Sequence, residues 1–442
     1  MVSGKEKQGN IRWYVALVFP LGLMLSPDAL SLLGNWAGVS GIHFLQMLCF
    51  GAAVHSLTAF SYNSIYHPES GARGEVDYVK QSLGSVTAFL FSICSRIAFA
   101  VCATTGILAT AGYVFNEIFL IWFPNMGFSF LLLTVLLLIG LWGRKAFVSA
   151  QVISMILVVC GLLFLSLWGL LPGENTPVNR TAVEGVSFSL LHLYALGLVF
   201  FVGFDLSAVI GYSEPKRPGH AGHLMVWAIV IGGIVLAVWG WVSLLQVSPQ
   251  RLTATSVPYS IAAREILGGP GRKIMGLVII AASFGFSNAL LTAVSGILSG
   301  AVRKKGIARN DVILGKRMRF PLVILFLAIV LMLASGLAGE PHLEVFTRGS
   351  IYLWLLNYGI VHLAVLTRII RGRQKPVAGT PVVSVAGLLL TFGGVVSLIC
   401  FDENSIQVLQ FMVIYLGAAF IVSLIWMAAG KPFFTFSNGG KL

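Results

Sequence analysis

Long apolar runs alternate with short polar connections along the whole chain. Runs of roughly 20 apolar residues, each long enough to cross a bilayer, predict helices over 12–36, 42–62, 85–113, 122–142, 147–171, 187–212, 223–247, 274–301, 320–338, 346–367, 379–400 and 406–429. The longest polar connections, 63–84, 172–186, 248–273 and 303–319, are too short to fold as soluble domains. One all-α membrane domain over 1–442 is therefore expected. Two runs carry interruptions. Pro20, Gly22, Ser26 and Pro27 break the first, and Gly203 and Asp205 break the sixth, within Phe200-Phe201-Val202-Gly203-Phe204-Asp205. Helix ends leave amides and carbonyls without partners, and in lipid each such group costs several kcal/mol unless something satisfies it. Interruptions in the corresponding members of two five-helix halves are the sequence trace of an inverted repeat with a substrate site between the halves; the alternative is that glycine and proline, common in membrane helices, merely kink them.

Composition fixes the class. The chain is 57% hydrophobic and 10% charged, with mean hydropathy +0.90, more apolar surface than a soluble chain of 442 residues can bury. The formal charge of +13 and pI near 9.7 do not point to nucleic acid, because the basic residues sit in short connections and not along one helix face. They read as topology signals, and their bias puts both termini in the cytoplasm of a cell (inner) membrane. Lys5, Lys7 and Arg12 precede the first run, which is too long for a signal peptide and is read as a retained helix. Cys49, Cys94, Cys102, Cys160 and Cys400 fall inside apolar spans and are read as packed thiols. The eight histidines form no His-x-x-x-His and the cysteines no Cys-x-x-Cys, so no metal or other cofactor is expected. Asn179-Arg180-Thr181 fits the glycosylation pattern, which arises often by chance.

Asp28, Asp205 and Arg96 are the ionisable residues furthest from helix ends. A charge at the bilayer centre costs at least about 2.5 kcal/mol on insertion scales, so these groups are expected to be paired or functional. Arg96 should lie near Asp28 or Asp205, either as a permanent ion pair or with one carboxylate changing protonation. His55 is a second proton candidate because imidazole titrates near neutrality; the alternative is a hydrogen bond between helices.

Three stretches carry a family resemblance. Ala59-Phe60-Ser61-Tyr62 runs through His67-Pro68-Glu69-Ser70-Gly71-Ala72 to Tyr78-Val79-Lys80-Gln81-Ser82-Leu83-Gly84. Gly203-Phe204-Asp205 leads to Glu214-Pro215-Lys216-Arg217-Pro218, and Ser295-Gly296-Ile297-Leu298-Ser299-Gly300 to Arg303-Lys304-Lys305-Gly306. In that order the chain resembles the amino acid-polyamine-organocation (APC) superfamily of permeases. The resemblance implies a LeuT-like fold with a five-plus-five inverted repeat (12–171 and 187–367), helices 1 and 6 broken, and two further helices in 379–429. It implies a substrate carboxylate near Gly22, Leu23 and Met24, with Ser26 behind them, and an ammonium group near Phe200, Phe201 and Gly203. Phe200, Phe201 and Phe204 would wall the site. A sodium site in this fold class would draw on helix 1 carbonyls and on Ser283 and Ser287, with Asn288 alongside. Two departures stand out. The helix 1 signature reads Pro20-Leu21-Gly22-Leu23-Met24, without its usual small residues, and the lysine that marks some proton-coupled members in mid helix 5 is replaced by Val158, Val159 and Cys160.

The expected function is secondary active transport of an amino acid or related amine by alternating access, driven by a proton or sodium gradient or by exchange. A transporter-like sensor without flux is the alternative. A membrane-embedded enzyme lacks support, since neither Gly-x-Ser-x-Gly nor His-Glu-x-x-His occurs, and no Walker A pattern links the chain to ATP.

Overall fold

The computed structural model describes residues 13–66, 70, 72, 74–171, 189–207, 220–301, 318–374 and 379–428. The stretches 172–188, 208–219 and 302–317 lie outside it, and with them the glycosylation pattern, the Glu214 to Pro218 exit and the basic end of the third motif. His67, Pro68, Glu69, Gly71 and Arg73 of the first motif lie outside it too.

The described residues are helical, in the order α1 (Trp13–Met24), α2 (Pro27–Ser40), α3 (Phe44–Ile65), α4 (Glu75–Leu83), α5 (Ser85–Ile118), α6 (Asn125–Trp142), α7 (Arg144–Leu170), α8 (Leu190–Val199), α9 (His220–Gln246), α10 (Pro249–Thr253), α11 (Pro258–Ala301), α12 (Arg319–Ala334), α13 (Pro341–Ile370), α14 (Thr380–Cys400) and α15 (Ser405–Ala428). Among the described residues, nine helical stretches are long and apolar enough to cross a membrane. The shorter apolar helices α1, α8 and α12 stand at the first, sixth and ninth expected runs. The outer helices carry large exposed apolar side chains, among them Leu389, Val413 and Ile421. Such a surface has no place in water and every place in lipid.

Two expected boundaries move. The 248–273 connection is not a loop: α10 lies in it, and the start of α11 occupies 258–266 before a kink at Leu267 and Gly268 (φ +61°). Two of its four basic residues are paired, Arg251 with Glu265 and Arg272 with Glu117. The first interruption is narrower than expected and falls at its Ser26 and Pro27 end. Pro20 and Gly22 lie within α1, and the helix stops only at Leu25 and Ser26. A proline inside a helix removes one backbone bond but need not end it, whereas Pro27 takes the first position of α2, where its missing N–H costs nothing.

Close helix crossings set the core. A Cβ on Gly51 of α3 would collide with the Gly197 carbonyl of α8, and one on Gly197 with the Met47 carbonyl, so the two backbones touch. Packing of this kind replaces the hydrophobic drive that lipid does not supply. It holds α8 against α3 directly before α8 breaks. Of the cysteines, Cys94 and Cys102 are buried, but Cys49, Cys160 and Cys400 are exposed. Three therefore face outward from the bundle and are not packed thiols; all five are free.

Candidate functional site

The second interruption is the longer one. α8 ends at Val199, and Phe200 to Asp205 follow as tight turns closed by weak three-residue bonds, such as Phe204 N–H to Phe201 O at 3.3 Å and Leu206 N–H to Gly203 O at 3.0 Å. Gly203 takes φ +92°, a conformation that side chains other than glycine rarely adopt. Its N–H donates to the Tyr358 hydroxyl of α13 at 2.9 Å. The broken backbone is thus satisfied by another helix.

The two interruptions meet. A Cβ on Gly203 would collide with the Leu23 side chain, so the end of α1 lies directly on the turn in the second break. Met24 packs on Gly232 and Phe201 on Gly233 of α9, which brings both breaks to one patch of a third helix. Phe200, Phe201 and Phe204 are 1%, 0% and 0% exposed; they face the bundle interior, not lipid. Phe204 stands against His55, Tyr62 and Tyr358 at centroid distances of 5.2, 6.0 and 5.0 Å.

At the end of the second break lies a buried ion cluster. Arg96 of α5 grips Glu75 of α4 with both ends of its guanidinium, Nη1 to Oε1 at 2.7 Å and Nη2 to Oε2 at 2.6 Å, and Nη2 also donates to Asp205 Oδ2 at 2.6 Å. All three side chains are at most 5% exposed. Asn357 and Tyr62 donate to Glu75 at 2.8 and 2.6 Å, and Tyr358 donates to Asp205 Oδ1 at 2.7 Å. A π-helical turn, Ala88–Cys94, precedes Arg96 and offers the Ser92 carbonyl to Nη1 at 2.8 Å, while the Ser92 hydroxyl donates to Asn357. Such turns widen a helix by one residue and are frequent at functional sites. Trp354 covers the guanidinium, 5.2 Å from its ring centroid. Burial pushes the Glu75 carboxyl up, but the Arg96 guanidinium and the hydrogen bonds from Arg96, Tyr62 and Asn357 more than reverse it and hold it below its ordinary range. That outcome follows from four donors on one carboxylate.

Of the two acids expected near Arg96, the structure selects Asp205. Asp28 stands elsewhere, in the first turn of α2, with an exposed side chain. Glu75 was not anticipated. It lies in a polar connection, and the signal for it is the amphipathic pattern of α4, where Glu75 shares a face with the buried Tyr78 and Val79.

The first interruption is closed locally. Ser26 caps α2, its hydroxyl accepting the Ala29 N–H at 3.2 Å and its carbonyl the Leu30 N–H at 3.0 Å. Gly22, Leu23 and Met24 lie within α1, and the Leu25 N–H returns to the Leu21 carbonyl at 2.9 Å. Gly22 is a packing position: a Cβ there would sit 2.6 Å from Gln151 and 3.0 Å from the Gly285 carbonyl. Gln151 of α7 was likewise missed. Its amide donates to the Val18 carbonyl at 3.0 Å and accepts from Asn288 at 2.8 Å, which ties α1, α7 and α11 together. The legible signal was one amide in an apolar run. Ser283 bonds back to Ile279 at 2.8 Å, whereas the buried Ser287 hydroxyl has no partner among the described residues. His55 gives Nδ1 to the Gly51 carbonyl at 2.9 Å and keeps Nε2 buried with no partner among the described residues.

No protein-family model and no curated protein sequence matches the chain. Among solved structures it is similar to a Na+-coupled sialic acid symporter in a substrate-bound, outward-open state described as revealing a novel Na+ site. The TM-score is 0.54 at 12% identity, over 89% of this chain and 91% of that one. The similarity covers nearly all of both chains, and what it establishes is the fold, a multi-span all-α architecture shared with a transporter.

Proposed function

We propose that the chain is a secondary active transporter of an amino acid or related amine, working by alternating access around the two breaks. The observation that carries this reading is the contact of Leu23 with Gly203, which brings two interrupted helices together inside the bundle. Helix breaks at one depth, lined by buried aromatic rings, are the arrangement in which partly freed backbone groups meet a polar solute. The fold shared with a Na+-coupled symporter supports the same class, as does the resemblance to APC permeases, whose membership remains part of the proposal.

The start of α2 favours an amino group as the recognised charge. Pro27 has no N–H, and the Ala29 and Leu30 amides are already bonded to Ser26. Little of a carboxylate cradle is left there, whereas the Asp28 carboxylate is accessible in the same turn. The Phe200, Phe201 and Phe204 rings supply the apolar wall. In this reading the substrate leaves its ammonium group near Asp28 and the turns at Phe200 to Gly203.

The test is counterflow in proteoliposomes loaded with a panel of amino acids, polyamines and monoamines. Saturable exchange of at least one amine-bearing compound, lost in Asp28→Asn, is the expected result. Binding of a panel member without counterflow would instead make the protein a sensor. Equal uptake in sodium and choline buffers would remove sodium, and with it the reading of Ser283 and Ser287 as cation ligands.

A further inference from the structure

The ion cluster is not electrically balanced. Among the described residues Arg96 contributes one positive charge and Glu75 and Asp205 two negative ones, so the ionised cluster they form keeps one net negative charge with its side chains at most 5% exposed. A surplus charge out of water costs several kcal/mol, and a buried group sheds that cost by binding a proton or a counter-ion. We propose that Asp205 is the proton-binding site of this protein and that its protonation releases the exit of the broken helix from α5. The proposal rests on the transport reading for its purpose, since the proton is the coupling ion, but the site itself is defined by the cluster.

Geometry assigns the proton to Asp205 and not to Glu75. Glu75 accepts four hydrogen bonds, two from Arg96 and one each from Asn357 and Tyr62, so both its oxygens are saturated by donors and a proton on either would displace one. Asp205 accepts two from the described residues, from Arg96 Nη2 and from the Tyr358 hydroxyl. The Tyr358 oxygen already accepts the Gly203 N–H and has a second lone pair. Once its own proton turns away, it can accept from a protonated Asp205. His55, edge-on to Tyr358 at 5.6 Å, keeps Nε2 buried and unpartnered, and its Nδ1 contact with the Gly51 carbonyl makes Nε2 the acceptor. Among the described residues, the titratable and charged groups around Asp205 are thus Arg96 on α5, Glu75 on α4, Tyr358 on α13, and Tyr62 and His55 on α3. A metal cation fits poorly, because both Asp205 oxygens already face donors and the guanidinium lies 2.6 Å away.

The step balances simply. Asp205 carboxylate takes one proton and becomes a neutral acid, its tie to Arg96 changes from a charged contact to a neutral one, and Arg96 keeps its two bonds to Glu75. Among the described residues, the link at Asp205 ties the second break to α5 by a side-chain bond, so protonation loosens the break without dismantling the α4 to α5 pair. Deprotonation restores it.

Infrared difference spectroscopy of the full chain in lipid nanodiscs, titrated with acid, reads the site without any substrate. A protonated-carboxyl C=O band should rise as pH falls, be absent in Asp205→Asn, and persist in Asp28→Asn. In Glu75→Gln the cluster is neutral with Asp205 ionised, so the band should move to lower pH by roughly 1–3 units, the size of a close charge's effect on a carboxyl group. Tyr358→Phe keeps both charges and removes one donor to the ionised acid, so the band should move to higher pH; this variant carries the test should the charge variants not fold. A band that survives Asp205→Asn, or that neither Glu75→Gln nor Tyr358→Phe moves, overturns the proposal. If the band behaves as described and no panel compound crosses the membrane, the transport reading falls and the proton site stands. Uptake driven by a pH gradient in wild type that survives in Asp205→Asn would overturn the site while leaving transport intact.

Discussion

The two helix interruptions solve one problem in opposite ways. Between α1 and α2 the gap is Leu25 and Ser26, and the loose ends are closed by neighbours in sequence: Ser26 caps Ala29, Pro27 brings no N–H, and Leu25 bonds back to Leu21. After α8 the gap runs from Phe200 to Asp205, and its two polar anchors are distant in sequence, Tyr358 on Gly203 and Arg96 on Asp205. A break closed by local chemistry is permanent, because nothing that happens elsewhere removes its partners. One closed by partners on other helices changes when those helices move or change charge. The second break is therefore the switchable one, and the first is the fixed surface against which it works.

Removing Arg96 should break this contrast most severely. Arg96→Met strands two buried carboxylates, and loss of one partner of a buried charge pair costs about 3–5 kcal/mol. The expected result is a large fall in thermal or denaturant midpoint in detergent. Arg96→Met combined with Glu75→Gln and Asp205→Asn should recover much of it, since that variant buries no net charge; equal losses in both would mean that the cluster does not organise the second break. The pH dependence has a definite sign. Glu75 is held below its ordinary range by Arg96, so its contribution is complete above the unfolded glutamate's pKa and is lost as pH falls through the folded value. Unfolding measured over an acid series should show that decline in wild type and a weaker one in Arg96→Met.

Gly203→Ala tests the contact between the breaks. A methyl group there meets Leu23 and the backbone holds φ +92°, which together place the cost at roughly 1–3 kcal/mol. Stability should fall and counterflow with it. Adding Leu23→Ala relieves the collision but not the backbone strain, so a partial recovery is expected, and full recovery would show that the positive φ carries no cost. An unaffected Gly203→Ala would remove the contact on which the transport reading stands.

What the sequence revealed follows the same division. The sixth-run break was legible at Gly203 and Asp205 because a glycine and an acid in an apolar run have few other uses, and the pairing of Arg96 with an acid followed from the cost of burying it alone. The choice of Asp205 over Asp28 was not legible, since it depends on which helix faces α5. Glu75 escaped notice because a charge in a polar connection looks solvated; only the fold of α4 onto the bundle buries it. The first break was legible at Ser26 and Pro27 but read too wide, for Pro20 and Gly22 look like breakers and are tolerated by packing, Gly22 against Gln151 and Gly285. Gln151 itself was passed over in favour of Val158 to Cys160. Single polar side chains inside apolar runs carry more site information than the family positions sought nearby.

The smallest expected effect tests the fixed break. Ser26→Ala removes the side-chain cap of α2 while leaving the carbonyl bond to Leu30, and loss of such a cap costs about 1 kcal/mol. A local closure predicts a small drop in midpoint, no change in the acid titration of Asp205, and an unaltered infrared response of Tyr358→Phe in the same background. Ser26→Gly should lose less than Ser26→Ala, because glycine is tolerated at a cap by leaving the amides open. If Ser26→Ala instead shifted the Asp205 titration, the two breaks would be coupled through their contact at Leu23, and the first would belong to the switch and not to its support.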